Sequence, residues 1–406
     1  MNHKQRAIHL IEFTVENYRS IREPVTLSMQ STHLHTRSTD FLISTNKKRL
    51  LSSVALYGAN ASGKSNLIRA LFLFCNSITG NNLDFNAEKV EPFLLDELSK
   101  TKDTTFEAVF EFDSKLYVYG FQYSTASNEI TSEWLKATRN KSPRLSMIFE
   151  RHYGKLEVNS KLILAEHGIS RAFSKQLQPR ELFITTLSKN SAWTLAKEVV
   201  EAWKNCFVIN TLVHDPLDSV ARMIFTDPTN KELLLPLLQQ ADMNIADVRV
   251  TKNDSDEFVI KLGHIYVNKK SSKLIWFDIR EQESAGTLKF FSFALPLLMS
   301  LRDGTLMALD ELGSTLHPDL LRFVVTLFND HKRNPQHAQL ILTTHDTSLM
   351  KGLFARDQIY FTHKPASQIT SLYPLSDIRG VRKDLKNLDE RYLRGDFGAV
   401  PDIIPG

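Results

Sequence analysis

The sequence predicts an α/β fold in which short buried strands alternate with helices. The segment "GANASGKS" (58–65) follows an apolar strand and opens a helix. Two later runs, "TLMALDE" and "AQLILTT", are short and almost entirely apolar before their polar ends. Such runs are typical of strands that are covered on both faces. A strand, a glycine-containing loop and a helix in that order, followed by two buried strands, favour a sheet with a ligand-binding edge.

The first third of the chain is predicted to be rich in strands, with one long helix. Residues 8–15 ("IHLIEFTV") and Ser53–Tyr57 have the composition of strands. The segments "TTFEAVFEFD" and "KLYVYGFQYS" predict a hairpin around Asp113–Lys115, and "EITSEWLKA" could continue that sheet. From Lys64 the spacing becomes helical, with one apolar stripe made of Leu67, Leu71, Phe74 and Ile78.

Three regions are expected along the chain. Residues 1–140 form an N-terminal lobe, residues 141–272 a mainly helical insertion, and residues 273–406 a C-terminal lobe. The insertion shows mostly helical spacing, without a fixed-period repeat or a heptad run long enough for a coiled-coil arm. The C-terminal lobe opens with the strand "KLIWFDI" and an apolar helix that begins after Glu283.

Composition indicates a soluble globular protein, expected in the cytoplasm. The 406 residues are 42% hydrophobic and 24% charged, with a formal net charge of +4. There is neither an apolar run of about 18 residues nor the apolar core of a secretory signal, so no membrane partner is expected. Cys75 and Cys206 lie far apart in apolar contexts, which predicts buried free thiols in a reducing compartment. The charge permits a nucleic-acid surface without requiring one.

The loop at 58–65 satisfies G-x-x-x-x-G-K-[S/T]. Gly58 and Gly63 allow the turns that aim successive backbone N–H groups at phosphate oxygens, and the helix N-terminus adds a partial positive charge. Lys64 is expected to reach the β- and γ-phosphates, and the Ser65 hydroxyl to ligate Mg²⁺. A chance match arises in on the order of one chain in a hundred at average glycine usage, and the strand–loop–helix context makes it rarer.

Two acidic residues end the apolar run "LMALDE". Asp310 is expected to hold the Mg²⁺ shell through water, and Glu311 to orient or deprotonate the attacking water. The alternative for an isolated Asp-Glu pair is a helix N-cap. His345 ends the strand "ILTTH" and is placed to contact a γ-phosphate, whereas a lone histidine at a strand end is usually structural.

The segment "ESAGT" puts small residues at a helix start, where backbone N–H groups can bind an anion. In the order phosphate loop, Ser-x-Gly helix start, "LMALDE", turn and strand-His, the chain resembles the head of ABC-type ATPases. It is more narrowly similar to the RecF, SMC, Rad50 and OLD branch and to the stand-alone ATPases of bacterial phage-defence and abortive-infection operons (the AbiL and RloA kind). The resemblance also covers "IEFTVENYRSIREPVTLSM", "ADMNIADVRV" and "RYLRGDFGAVP". It implies an ABC-type P-loop ATPase head, with a mixed-sheet lobe and a helical insertion.

The resemblance implies ATP and Mg²⁺ as cofactors. The residues implied to bind ATP are Gly58, Asn60, Ala61, Ser62, Gly63, Lys64, Ser65, Asn66 and Arg19. Mg²⁺ would be held by Ser65, Asp310 and Gln122, the last as a candidate Q-loop residue. Catalysis would use Glu311, His345 and Lys64. For Arg19 a surface salt bridge is an open alternative.

The resemblance also implies a head-to-tail homodimer, or a larger assembly of dimers, with ATP sandwiched between the heads. A second copy would contribute Ser284, Ala285 and Gly286, together with the turn at Gly313 and Ser314. The signature reads Ser-Ala-Gly, where transporters have Ser-Gly-Gly. Because association depends on the γ-phosphate, hydrolysis would let the heads part.

Absent motifs narrow the function. No N-K-x-D guanine-reading motif is present, which favours ATP over GTP, and no nuclease cassette follows His345. The resemblance then implies an ATPase that controls a separately encoded effector, expected to be a nuclease, in anti-phage defence.

Two alternatives stay open. One is a RecF-like clamp that binds DNA through "NKKR" (46–49) and the basic stretch 379–395, which is otherwise read as a solvated helix face. The other is a scaffold that binds ATP and hydrolyses it poorly, as a toxin-neutralising partner.

Overall fold

A computed structural model describes most of the chain. The described residues are 7–32, 49–80, 90–138, 144–159, 177–189, 193–209, 216–241, 243–267, 272–312, 316–381 and 387–401, and, for the backbone alone, 42–44.

The strands of the described chain belong to four sheets. In chain order they are β1 (His9–Glu16), β2 (Val25–Ser28), β3 (Leu42–Ser44), β4 (Arg49–Leu51), β5 (Ser53–Tyr57), β6 (Thr104–Phe112), β7 (Lys115–Ser124), β8 (Glu129–Thr138), β9 (Leu145–His152), β10 (Lys155–Val158), β11 (Phe207–Ile209), β12 (Ile245–Lys252), β13 (Phe258–Val267), β14 (Ser272–Asp278), β15 (Leu306–Leu309), β16 (Gln339–Thr343), β17 (Ile359–His363) and β18 (Ser371–Pro374).

The helices pack around these sheets. The α-helices are α1 (Lys64–Thr79), α2 (Glu97–Thr101), α3 (Phe183–Lys189), α4 (Thr194–Lys204), α5 (Pro216–Thr226), α6 (Thr229–Gln240), α7 (Ala285–Asp303), α8 (Pro318–Asn329) and α9 (Leu388–Leu393). Short 3₁₀ turns occur at Thr347–Met350, Arg356–Gln358 and Leu375–Asp377.

An antiparallel sheet makes up the N-terminal lobe, with strand order β10-β9-β8-β7-β6-β1-β2. The predicted hairpin is present as β6 and β7, and β8 extends it. The apolar stripe of α1 packs on this sheet. Phe74 of α1 stacks on Phe121 of β7, with ring centroids 5.9 Å apart, and meets Trp203 of α4 edge-on at 5.2 Å. Aromatic pairs in these geometries stabilise a core beyond the area that they bury.

The central sheet has strand order β11-β15-β16-β5-β17-β18. Its first five strands are parallel, and β18 is antiparallel to β17. Both faces of β5 are buried: Val54 and Leu56 belong to one hydrophobic core, and Ala55 and Tyr57 to another on the opposite face. This sheet brings the carboxyl ends of its parallel strands to one edge, where open α/β sheets bind ligands.

The segment 141–272 is mixed rather than mainly helical. β9 and β10 continue the antiparallel sheet across the expected boundary at 140, because β8 pairs with β9. β11 joins the central sheet, and β12, β13 and β14 form a sheet of their own. The prediction of a largely helical insertion was wrong in this respect. Pairing with neighbouring strands outweighs a weak helical spacing, particularly in β13, which is rich in β-branched and aromatic residues. In the described part of the chain, no helix is both long and apolar enough to cross a membrane.

Candidate nucleotide-binding site

The carboxyl ends of four neighbouring strands surround one large cavity. β5 leads into the phosphate loop, β15 into Glu311, β16 towards His345 and β17 into Lys364. The cavity has a volume of about 1050 Å³. It is lined by Gly58, Ala59, Asn60, Ala61, Ser62, Gly63, Lys64, Ser65, Asn66, Glu311, His345, Thr347, Lys364, Tyr392, Leu393, Val400 and Pro401. The fold therefore brings the loop residues, Glu311 and His345 into one space, as the sequence order suggests.

The phosphate loop has a backbone that requires glycine at two positions. At Gly58, where φ is 155°, a Cβ would lie 2.3 Å from Thr362 Oγ1. At Gly63, where φ is 109°, a Cβ would lie 2.2 Å from Thr370 Oγ1. The same threonines fasten the loop, since Ser62 Oγ lies 2.5 Å from Thr362 Oγ1 and Thr370 Oγ1 donates to the Ser62 carbonyl at 2.9 Å. Contacts with Thr362 and Thr370 therefore fix the conformation of the phosphate loop.

Lys64, the first residue of α1, is only 5% exposed. Its Nζ donates to the carbonyl oxygens of Gly58 at 2.9 Å and Ala59 at 3.0 Å. Desolvation lowers the pKa of Lys64 to about 8, although the negative charges of Asp310 and Glu311 oppose that shift. A buried ammonium that is incompletely compensated in this way is stabilised by an anion bound to the loop.

A hydrogen-bonded chain joins α1 to the acidic pair. Oδ1 of Asp310, which is buried, accepts from the hydroxyl of Ser65 at 3.1 Å and from that of Thr343 at 2.7 Å. The Thr343 hydroxyl in turn accepts the backbone N–H of Glu311 at 2.7 Å. Glu311 has a φ of 52°, in the left-handed region that a residue with a Cβ rarely adopts. Thr343 therefore holds Glu311 in a strained conformation at the cavity wall, of the kind that clusters at functional sites.

The helix N-cap alternative for the acidic pair does not fit the next described helix. His317 caps α8, with its Nδ1 accepting the N–H of Asp319 at 3.3 Å. Neither carboxylate is used there.

His345 lies at the rim of the cavity, two residues beyond β16. Desolvation and the nearby positive charge of Lys64 lower the pKa of its imidazole, against an opposing effect of Glu311. The ring is therefore neutral at pH 7 and can donate or accept a hydrogen bond through its two nitrogens.

The Ser-Ala-Gly signature stands at the start of α7. Ser284 caps this helix, its hydroxyl accepting the N–H of Thr287 at 3.1 Å. Ser284 and Ala285 are exposed, and Gly286 is half-buried. None of the three lines the cavity of its own chain. This helix start consequently presents its first residues to solvent instead of packing them inside the same subunit.

Arg19 forms an ion pair within the N-terminal lobe. Its Nη2 lies 3.5 Å from Glu91 Oε2, and its N–H donates to the Glu91 carbonyl at 2.8 Å. The adjacent residue, Ser20, accepts from Asn66 Nδ2 at 2.7 Å and lies 2.8 Å from Thr370 Oγ1. The salt-bridge alternative thus describes the Arg19 side chain here, while its neighbour contacts the phosphate loop and the first turn of α1.

The structure does not bring Gln122 to the cavity. Gln122 belongs to β7 of the antiparallel sheet, and its side-chain amide donates to Thr105 on the adjacent strand at 3.2 Å. A position within that ladder points the side chain at its cross-strand neighbour, so the assignment of Gln122 as a Mg²⁺ ligand has no geometric support. The predicted turn at Gly313 and Ser314 lies outside the described residues.

A C-terminal segment, residues 387–401, forms a wall of the cavity that the sequence reasoning did not assign. The Tyr392 ring stacks on Phe361 of β17, with centroids 5.5 Å apart, and its hydroxyl donates to the Ala399 carbonyl at 3.2 Å. Leu393 and Val400 from this segment line the cavity. The motif "RYLRGDFGAVP" signalled a resemblance without indicating this position.

Three further residues at the site were not predicted from the sequence: Thr343, Lys364 and Thr370. The run "ILTTH" does place a hydroxyl at the carboxyl end of a buried strand, which is a usable signal for Thr343. The positions of Lys364 and Thr370 depend on how β17 and β18 pack beside the loop, and nothing local indicates them.

The described basic residues of the stretch 379–395 are partly engaged within the chain. Arg391 pairs with Asp396 at 3.1 Å and lies over the Phe397 ring at 4.9 Å. Arg394 lies 3.6 Å from Glu390. Residues 382–386 and most of "NKKR" fall outside the described chain. These contacts are those of a mixed-charge helix face rather than of an open basic groove.

The donor set fits a nucleoside triphosphate with Mg²⁺. The loop supplies backbone N–H groups, a helix N-terminus and a buried ammonium, which together suit a polyphosphate. Ser65 and Asp310 place two hard oxygen atoms 3.1 Å apart, which would hold Mg²⁺ together with phosphate and water oxygens. Among the described residues no cluster of three or more His, Cys, Asp or Glu could hold a metal ion, which such a phosphate-assisted site does not need.

Comparison with known proteins identifies the family. A family model described as "AAA domain, putative AbiEii toxin, Type IV TA system" matches residues 53–351, more than half of the chain. No curated protein matches. Among solved structures, the SMC head domain from Thermotoga maritima has 13% identity and a TM-score of 0.36, covering 90% of this chain and 98% of that one. The Smc head domain with a coiled coil and joint derived from Pyrococcus yayanosii has 11% identity and a TM-score of 0.39, covering 91% and 97%. The chain belongs to the AAA-domain family of that description, and the predicted α/β fold, with a phosphate loop between a buried strand and a helix, is confirmed.

Proposed function

We propose that the protein hydrolyses ATP in the cavity described above, with Mg²⁺ held by Ser65 and Asp310. The observation that carries this proposal is the hydrogen-bonded chain Ser65–Asp310–Thr343–Glu311 beside a buried loop lysine. This chain links Ser65 and Glu311, which both line the cavity, through the buried carboxylate of Asp310. Phosphoryl transfer requires positioning and charge stabilisation more than covalent chemistry, and these residues supply both.

Each residue has a role that follows from its position. Lys64 neutralises the phosphate oxygens and exchanges its two carbonyl acceptors for them. Glu311 accepts a proton from, or orients, the attacking water, because its backbone is fixed by Thr343. His345 hydrogen-bonds the terminal phosphate from the rim. Bound Mg²⁺ would neutralise charge on the phosphate oxygens.

We infer that two chains share each nucleotide. The helix start at Ser284 and Ala285 is exposed, and neither residue lines the phosphate cavity of its own chain. Head-to-tail closure would cover the cavity of each chain with the helix start of the other. Closure would then depend on the γ-phosphate and be reversed by hydrolysis.

We further propose that this cycle controls a separately encoded effector, a nuclease, in anti-phage defence. The family description names a toxin of a type IV toxin–antitoxin system, which supports a role in growth arrest or defence. Co-expression with the product of the adjacent gene, followed by purification and phage plating with and without Lys64→Ala, tests this part.

The ATPase proposal is tested by Glu311→Gln. This change keeps the shape and removes the base. The variant should bind ATP, lose steady-state turnover and show an ATP-dependent rise in mass in light scattering. Lys64→Ala is the matched control, because it should lose binding itself. Unchanged turnover in Glu311→Gln would show that the base has been assigned wrongly.

A further inference from the structure

In the described part of the chain, the three-stranded sheet of β12, β13 and β14 has an open edge at β14. The order β12-β13-β14 makes β14 an edge strand. β13 pairs with β12 only as far as His264, so its last three residues and the start of β14 project as a two-stranded ribbon. Leu274 and Ile275 of β14 are 41% and 42% exposed, and Ser272 and Lys273 are exposed too. An exposed apolar edge of this kind is a template for another strand.

Alternate residues of β14 direct their backbone groups away from β13. Gln282 marks this direction, because its Oε1 accepts the Asp278 N–H at 2.8 Å and its own N–H donates to the Asp278 carbonyl at 2.9 Å. The N–H of Ile279, the residue after Asp278, points the other way and donates to the Ile260 carbonyl of β13 at 3.0 Å. Since a strand alternates with a period of two, the N–H and C=O groups of Leu274 and Trp276 also point outward. No described residue pairs with them.

We propose that β14 pairs antiparallel with β14 of a second copy of this chain, about a two-fold axis at Ile275. In this register Leu274 of each copy lies opposite Trp276 of the other. Each such pair exchanges two N–H···O=C hydrogen bonds, so the outward groups of both residues are satisfied in both copies. The contact is isologous and closed, and it removes the open edge from each subunit.

The composition of β14 favours a second copy as the occupant. The strand reads Ser-Lys-Leu-Ile-Trp-Phe-Asp, with its only cation, Lys273, near one end and its only anion, Asp278, at the other. In this register Lys273 lies opposite Phe277 of the mate and Asp278 lies opposite Ser272, so no like charges meet and the apolar centres lie together. Parallel pairing would align like charges, which destabilises cross-strand neighbours.

This association is distinct from the nucleotide-dependent closure proposed above. It uses no residue of the phosphate cavity or of the signature, and it needs no ATP. The nucleotide-free chain and its Lys64→Ala variant should therefore both form the β14 dimer. Failure of one association leaves the other untouched.

Leu274→Pro tests the pairing in the nucleotide-free chain. The Leu274 N–H faces outward, so proline removes an edge donor without removing a bond to β13, and edge strands tolerate proline at such positions. Sedimentation over a concentration series should show the dimer dissociation constant rising by about thirtyfold or more, because two hydrogen bonds across the axis are lost. Leu274→Val, which keeps both the N–H and an apolar side chain, should leave the dimer intact. Circular dichroism and melting temperature report whether each variant is folded.

Ile275→Cys provides a second test that does not depend on proline. Residues on the axis form a non-hydrogen-bonded pair with Cα atoms about 4.5 Å apart, which a disulfide can bridge. Mild oxidation should cross-link this variant into a covalent dimer, whereas Lys273→Cys and the unaltered chain, with Cys75 and Cys206, should stay uncross-linked. A chain that is monomeric at all concentrations, an unaffected Leu274→Pro dimer, or Ile275→Cys without a cross-link overturns the proposal. The first of these results would leave the edge to a strand of another protein.

Discussion

Replacement of Thr343 by valine should remove two hydrogen bonds that hold the acidic residues Asp310 and Glu311 in position. Thr343 is fully buried, and valine has nearly the same shape without the hydroxyl. Two hydrogen bonds of 2.7 Å disappear, one to the Asp310 carboxylate and one from the Glu311 N–H. A bond to a charged group contributes about 1.5–3 kcal/mol and a neutral one about 0.5–1.5 kcal/mol. The free energy of unfolding should therefore fall by about 2–4.5 kcal/mol, measured by urea denaturation.

The same change should affect turnover more than binding. Glu311 loses the bond that fixes its backbone at a φ of 52°, and a displacement of about 1 Å at a reacting group can lower the rate about a hundredfold. The phosphate loop is untouched, so KM for ATP should stay nearly constant while kcat falls. Thr343→Ser keeps the hydroxyl and should retain activity. Thr344→Val, at a buried threonine whose hydroxyl accepts the Asp346 N–H, controls for the loss of a buried hydroxyl. Equal kcat values for Thr343→Val and either control would refute the reasoning.

Three further predictions concern the loop and the metal. Because the pKa of Lys64 is lowered to about 8, the free chain has lost this proton above that pH, and ATP binding should restore it. Calorimetry of ATP binding at pH 8.5 in buffers of different ionisation enthalpy should detect proton uptake, and ATP affinity should fall as the pH rises through about 8. Lys64→Arg should show neither effect. The same proton uptake in both proteins would show that Lys64 is not the group that takes up the proton. Gly63→Ala should lower the free energy of unfolding by about 2–5 kcal/mol, because of backbone strain and the clash with Thr370. Adding Thr370→Ala to this variant should restore only the part that is due to the clash. A Gly63→Ala variant as stable as the unaltered chain would show that the loop is not held as described. Gln122→Ala should leave Mg²⁺-dependent turnover unchanged, whereas Asp310→Ala should abolish it. A change in the Mg²⁺ requirement of Gln122→Ala would support Gln122 as a Mg²⁺ ligand after all.

The features that the sequence predicts well are local ones. The phosphate loop, the capped helix start at Ser284 and the acidic pair after β15 each lie within a few consecutive residues. Glycine positions and apolar runs specify such features almost completely. The helix that begins at Lys64 follows from its apolar stripe for the same reason.

The features that it misses depend on contacts between distant segments. Thr343 and Asp310 are neighbours only because β15 and β16 are adjacent in the sheet. The C-terminal wall exists because Tyr392 stacks on Phe361 beside the loop. Gln122 was misplaced because its position after an apolar run does not say which sheet the run joins. The strands of 141–272 are stabilised by pairing with neighbours, and strand formation depends more on such context than helix formation does.

The central claim is that each ATP is bound by the phosphate loop of one chain and the helix start of another. The most direct test mixes two inactive variants, Lys64→Ala and Ser284→Arg, and measures ATP turnover. In a mixed dimer, the intact loop of the Ser284→Arg chain faces the intact helix start of the Lys64→Ala chain, so one working site is formed. Turnover should therefore reappear on mixing and rise with the fraction of mixed dimers. A mixture as inactive as its components, with both variants folded, would contradict the shared site.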